Sequence, residues 1–317
     1  MITATKSFSP WSLGAPLYVP AHRLDLLEIA NAEKLPALRC VIFCTEDAIL
    51  QQDVHSSLRH LGLCLQGFKS DVSRYRFIRA RNPEILARLL ELPAIDKIDG
   101  FVLPKFNLNV FKAYTELLKD TPFKIMPTLE TREVFDAGGM RELRQALAAA
   151  EIFDKVLLLR IGGNDLMNLL GVRRSQEFTL YAGPLGPVIA QLVAQFTPYG
   201  FKLSAAVFEH LANTKLLQQE VALDLAHGLI GKTAIHPQQV PIIEACYQVD
   251  AADLDMATQI LAQSAPAVFK MHDSMCEVAT HTHWAQTILA RYQYFGARNA
   301  HLSAIPLPTP SQPLKNC

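Results

Sequence analysis

The sequence carries no excess of charge of either sign: 30 Lys and Arg stand against 30 Asp and Glu. No basic run or stripe is present, which excludes the electrostatic footprint that a nucleic-acid partner requires. No apolar run approaches the roughly 18 residues that span a bilayer. The opening stretch MITATKSFSPWSLGAP lacks the apolar core of a signal peptide. The expectation is a cytoplasmic protein with no membrane partner. The cysteines Cys40, Cys44, Cys64, Cys246, Cys276 and Cys317 form no C-x-x-C and no zinc spacing. Cys40 and Cys44 flank an apolar stretch and read as buried thiols, and no disulfide is expected. Neither G-x-G-x-x-G nor a P-loop occurs, which argues against a nucleotide-binding doubly wound sheet.

What the chain does have is apolar residues, half of its 317, enough for a large core. They fall into short runs at 16–20, 40–45, 76–81, 100–105, 123–131, 156–161, 201–208 and 229–237. Each is short and closed by turn or charged residues, as buried strands of a parallel sheet are. Helical periodicity fills most of the gaps, for instance at 24–30, 85–92, 140–150, 185–196 and 216–227. Eight strands alternating with helices predict an α/β fold, the closed (β/α)8 TIM barrel. Its domain is expected over 15–250, after an irregular lead at 1–14. A C-terminal helical extension at 251–300 follows, whose apolar residues such as Ile260 and Ile288 need an outside surface and are expected at a subunit interface, and then a flexible proline-rich tail at 301–317.

The stretch 156–170, VLLLRIGGNDLMNLL, organises the rest. An apolar strand breaks at Gly162-Gly163, where two glycines allow a sharp turn, and delivers Asp165 at its top. Asp165 is equally well placed to cap the helix that follows. The preceding strand, FKIMPTLET, ends in Glu130. Neighbouring strand ends in a barrel lie about 5 Å apart, so the two carboxylates would repel unless a cation sat between them. Mg2+ suits such a pair, since one or two carboxylates plus water and substrate oxygens commonly hold it. Other charged groups crowd the same face: Arg23, Glu46, Asp47, Arg79, Arg81, Lys105, Lys232 and His236. Arg79 and Arg81 share a strand face by alternation, and a guanidinium inside a barrel calls for an anionic partner. Glu46 and Asp47 are also free to act as salt-bridge partners of Arg23, Lys105 or Lys232, and His236 reads as a structural histidine. His281-x-His283 has metal-ligand spacing on a strand but lies in a helical context.

Taken in order, LYVPAHR, CTEDAI, RARN, VLPK, LET, GGNDL and GKTAIHPQQV resemble the family of HpcH/HpaI aldolases and citrate lyase β-subunits. The likeness is nearest to the citrate lyase β-subunit-like branch, with its malyl-CoA, citramalyl-CoA and β-methylmalyl-CoA lyases, and covers residues 15 to about 245. The resemblance implies a (β/α)8 barrel assembled as homotrimers or hexamers. It implies Mg2+ held by Glu130 and Asp165, and catalytic roles for Arg79, Glu46 and Asp47; beside Arg79, the strand-end cations Arg81 and Lys105 are expected to contact substrate. It also implies a late acid reaching a neighbouring subunit's site, here Glu277 of Met275-Cys276-Glu277, where the family has Asp. Other positions depart from the family. Cys44 stands where its motif has a first Asp, Val54 and Leu58 stand near a usual Lys and Arg, and Arg81 stands where Asn is common.

The expected activity is that of a Mg2+-dependent carbon–carbon lyase. Its substrate would be a 3-hydroxyacyl-CoA, such as citryl-, malyl- or citramalyl-CoA, cleaved to or formed from an acyl-CoA and a 2-oxo acid. The loss of the basic pair leaves open an aldolase of the same fold without CoA. A non-catalytic binding or assembly subunit is the third alternative, and the retained Glu130, Asp165 and Arg79 argue against it.

Overall fold

The computed structural model describes residues 8–298. Seven parallel strands run side by side in chain order: β1 (Leu17–Pro20), β2 (Cys40–Cys44), β3 (Tyr75–Arg79), β4 (Gly100–Leu103), β5 (Lys124–Leu129), β6 (Leu159–Ile161) and β7 (Leu203–Ser204). Residues 230–234 take the eighth place. Ile230 N donates to Leu203 O at 2.7 Å and Ala234 N to Pro16 O at 2.8 Å, with parallel bridges from Lys232 to Ala205 and from Ala234 to Leu17. The sheet thereby closes on itself as the expected barrel. This last segment does not form a continuous strand, because Gly231 turns the backbone through a φ of +82°.

Helices follow the strands: α1 (Leu26–Ala30), α2 (Val54–Gln66), α3 (Pro83–Leu90), α4 (Leu108–Leu118), α5 (Ala137–Ala148), α6 (Gly163–Leu169), α7 (Leu185–Phe196), α8 (Thr214–Ala226) and α9 (Gln239–Cys246). Several begin at a polar cap that satisfies free backbone N–H groups. Asn82 accepts from Ile85 N at 2.8 Å, Asn213 from Leu216 N at 3.1 Å, and Asp136 from Gly138 N and Gly139 N. The helix at 185–196 matches its sequence expectation residue for residue. Among the described residues, no helix is long and apolar enough to cross a membrane, and the five described cysteines are free thiols.

Alternation along the strands divides the core. Val41, Phe43, Ile78, Phe101 and Ile125 face the helices, while Cys40, Ile42, Phe77, Val102 and Met126 point inward. With Leu13, Leu157 and Leu158 the inward set plugs the lower barrel. The lead therefore has structure: Pro10–Leu13 is a short 3-10 helix, with Trp11 and Leu13 buried. The apolar plug leaves polar side chains for the upper layer, where the strands end.

Past the barrel, α10 (Ala251–Ile260) leads to an antiparallel hairpin, β8 (Val268–Met271) and β9 (Ser274–Glu277), and then to α11 (Val278–Phe295). The sequence shows only a break in helicity at 270–277, because the turn is made by His272 and Asp273, both with positive φ, instead of the usual Asn-Gly. Ile260 and Ile288, read from the sequence as needing an outside surface, are covered within the extension by Ala257, Cys276 and Ala285. The far end of α11 docks on its own barrel, where Phe295 meets Trp11 and Tyr247 edge-on at 6.0 and 5.1 Å. Val268 and Met275 on the hairpin stay exposed. The expected tail at 301–317 lies outside the described residues.

Candidate functional site

A cavity of about 360 Å3 opens at the C-terminal ends of the strands, the end at which barrel enzymes place their chemistry. Arg79, the last residue of β3, lies at its centre. Its Nη2 is 2.6 Å from Glu46 Oε2 and 3.4 Å from Glu130 Oε1, and its Nη1 is 3.0 Å from Asp47 Oδ2. The loop carrying Glu46 and Asp47 is pinned to the same strand end, since Thr45 donates from both N and Oγ1 to Arg79 O. Lys105 completes the cluster. Its Nζ lies 2.6 Å from Glu46 Oε1 and 3.8 Å from Asp165 Oδ1, while its backbone N donates to Glu130 Oε1 at 2.8 Å. Lys105 has φ +49°, a left-handed conformation costing about 1 kcal/mol that those contacts offset.

Burial sets the protonation of this cluster. It pushes Glu130 up to about 7 in spite of Arg79, with Asp165 raising it further. It also raises Glu46 against the opposing pull of Arg79 and Lys105. Burial pushes Asp47 up as well, yet Arg79, a hydrogen bond with Glu46 and the charge of Lys105 together outweigh it and hold that carboxyl below its ordinary range. Four carboxyl groups, those of Glu46, Asp47, Glu130 and Asp165, thus surround the two cations Arg79 and Lys105.

Glu130 and Asp165 both line the cavity and could hold a cation between them. Glu130 follows β5, and Asp165 sits in the first turn of α6 with its side chain 30 % exposed. Among the described residues no group of three His, Cys, Asp or Glu could hold a metal. An ion there would have two protein carboxylates and complete its shell with water or substrate oxygens, a donor set that fits Mg2+. Gly162 contributes by having no side chain. A Cβ there would lie 2.1 Å from Glu130 Oε2 and 2.4 Å from Glu130 Cβ. Its φ of −88° requires no glycine, so the reason for glycine is space and not the sharp turn expected from the sequence.

The other sequence candidates are distributed differently. The guanidinium of Arg81 donates to the carbonyls of Glu46 and Ile49, so it braces their loop. Arg23 is bound to Asp25 on the surface. Lys232 is buried behind the barrel, 3.0 Å from both Glu220 and Asp224, in a network that also holds Arg174. His236 Nδ1 accepts from Gln238 N. Glu277 ends the hairpin, hydrogen-bonds to Thr280 and His281, and does not line the cavity of its own chain. Val54 and Leu58 pack into the core. The cavity residues that escaped the sequence reading include Tyr18, Thr128 and Arg160. The signal for Arg160 was a lone charge inside the apolar run VLLLRI.

Known proteins agree with this architecture. The CitE protein of Mycobacterium tuberculosis, in complex with magnesium, acetoacetate and coenzyme A, superimposes with a TM-score of 0.66 at 22 % identity, covering 91 % of this chain and 99 % of that one. A citrate lyase from Burkholderia xenovorans LB400 gives a TM-score of 0.70 at 18 % identity over 91 % and 94 %. A (3S)-malyl-CoA thioesterase of Cereibacter sphaeroides is 27 % identical over 251 residues, 78 % of this chain and 81 % of its own. The pattern described as "C-C_Bond_Lyase of the TIM-Barrel fold" matches residues 7–297. With that match spanning barrel, strand-end carboxylates and extension alike, the chain belongs to the carbon–carbon bond lyase family of the TIM-barrel fold.

Proposed function

We propose that this protein is a Mg2+-dependent carbon–carbon lyase acting on a 3-hydroxyacyl-CoA of the citryl-, malyl- or citramalyl-CoA type, which it splits into, or builds from, an acyl-CoA and a 2-oxo acid. The observation that carries this reading is the pair Glu130 and Asp165 at consecutive strand ends, with Arg79 held beside them. The magnesium, acetoacetate and coenzyme A in the complex of the mycobacterial CitE support both the metal and the thioester.

Glu130 and Asp165 would hold the ion, which when bound supplies Lewis-acid polarisation and a template for the hydroxy-acid oxygens. Arg79, fixed by three carboxylates, donates charge-assisted hydrogen bonds to the oxygen on which negative charge develops. In the cleavage direction the hydroxyl passes its proton to a carboxylate of the cluster, Asp47 being the one held ionised, and its oxygen becomes the carbonyl of the 2-oxo acid. The electron pair of the broken bond passes to the carbon beside the thioester, and that enolate takes up a proton. Glu277 of a neighbouring copy, in a homotrimer or hexamer, is the acid assigned to this last step. The neighbour is invoked because Glu277 does not line the cavity of its own chain.

Two observations support other outcomes of the same test. The name of the Cereibacter sphaeroides relatives favours thioester hydrolysis, and the core positions of Val54 and Leu58 favour a substrate without CoA. Incubation with (3S)-malyl-CoA and Mg2+, read by chromatography, separates them. Acetyl-CoA with glyoxylate supports the lyase, malate with free CoA replaces it by a thioesterase, and an inert thioester beside turnover of free 2-oxo acids replaces it by an aldolase.

A further inference from the structure

We infer that Arg160 is a specificity residue that receives a second anionic group of the substrate at the cavity floor, so that the favoured 2-oxo acid is a dicarboxylate. The inference rests on the cavity being the substrate site. Arg160 lies in the middle of β6 with its side chain turned inward, and only 4 % of the residue is exposed. Its guanidinium stands 5.4 Å from the Tyr18 ring, and the guanidinium of Arg79 stands 5.5 Å from the same ring. The two cations thus flank one tyrosine, yet their surroundings differ. Arg79 has three carboxylates within reach. Among the described residues Arg160 has none: its Nη2 donates to Thr233 Oγ1 at 2.5 Å, and its Nε has no partner. Tyr18 does not serve as the missing anion, because burial raises its pKa even against the two arginines. The void below, about 10 Å3, has room for a single water, which would hydrogen-bond but not neutralise. A guanidinium is always charged, and a buried charge left without a counter-charge is costly. Its remaining open side is the cavity. A carboxylate arriving there gains a charge-assisted contact deep in a water-poor site.

The test is calorimetric binding of oxaloacetate and of pyruvate, each with Mg2+, to the full-length wild type, Arg160→Met and Arg160→Lys. Wild type is expected to bind oxaloacetate at least about tenfold more tightly than pyruvate. Arg160→Met should lose about a hundredfold for oxaloacetate and much less for pyruvate, with Arg160→Lys in between. Thermal unfolding without ligand supplies a second readout. Removing an unpaired buried charge should leave Arg160→Met at least as stable as wild type, whereas a structural arginine would leave it clearly less stable. Equal binding of the two acids, unchanged by Arg160→Met, overturns the assignment while leaving the lyase reading intact. Failure of wild type to bind either acid overturns both.

Discussion

Replacing Gly162 with alanine adds one methyl group, and its effect follows from where that group must go. At φ −88° alanine meets no backbone penalty, so the consequence is purely steric. The new Cβ would lie 2.4 Å from Glu130 Cβ, and an ordinary contact needs about 1 Å more. Strand separation does not relieve this. Gly162 N donates to Leu129 O at 3.1 Å, and Leu129 pairs with Ile161, so the two strands are tied together beside the clash. Glu130 itself must shift. Overpacking should cost about 1–3 kcal/mol of stability. A metal-holding carboxylate displaced by about 1 Å should weaken Mg2+ binding by about 10- to 100-fold. Gly163→Ala is the control, since its Cβ would meet Ala206 Cβ at 2.7 Å and not the carboxylate. It should lose stability without a comparable loss of metal. Titration calorimetry with Mg2+, alongside urea unfolding of each variant, reads both effects. A folded Gly162→Ala protein that binds Mg2+ with wild-type affinity would refute the reasoning.

Two further outcomes are expected. Because folding raises Glu130 to about 7, the metal-free fold takes up a proton, and its stability falls as pH rises from the ordinary carboxylate range through about 7. Stabilisation by Mg2+, measured as a thermal shift, should therefore grow between about pH 6 and about pH 8 as the competing proton leaves, and metal-free Glu130→Gln should gain on wild type over the same range. A Mg2+ shift independent of pH would contradict the burial argument. In the second, mixtures of inactive Glu277→Gln and inactive Asp165→Asn chains should recover activity if the two acids belong to one site across copies. No recovery, with subunit exchange demonstrated, would confine Glu277 to a structural role.

The sequence made the barrel legible because its parallel strands are buried on both faces and stand out as short apolar runs. The strand-end positions of Glu130 and Asp165 were readable because they follow the last residues of β5 and β6 by one and four places. The eighth strand was placed correctly as a segment, though Gly231 leaves it only bridges. What stayed hidden depended on which way side chains turn. Lys232 and Arg79 both sit near strand ends, yet one faces α8 and the other the cavity. Arg81 shares the parity of Arg79, but β3 ends at Arg79, so alternation no longer governs its direction. The hairpin of the extension was missed because a His-Asp turn carries no glycine signal.

The proposed lyase chemistry requires Glu130 and Asp165 together to hold a divalent ion. Titration of metal-free protein with Mg2+ should give one ion per chain, with binding lost or strongly weakened in Glu130→Ala and in Asp165→Ala while both variants stay folded. Unchanged Mg2+ affinity in the two variants would contradict it.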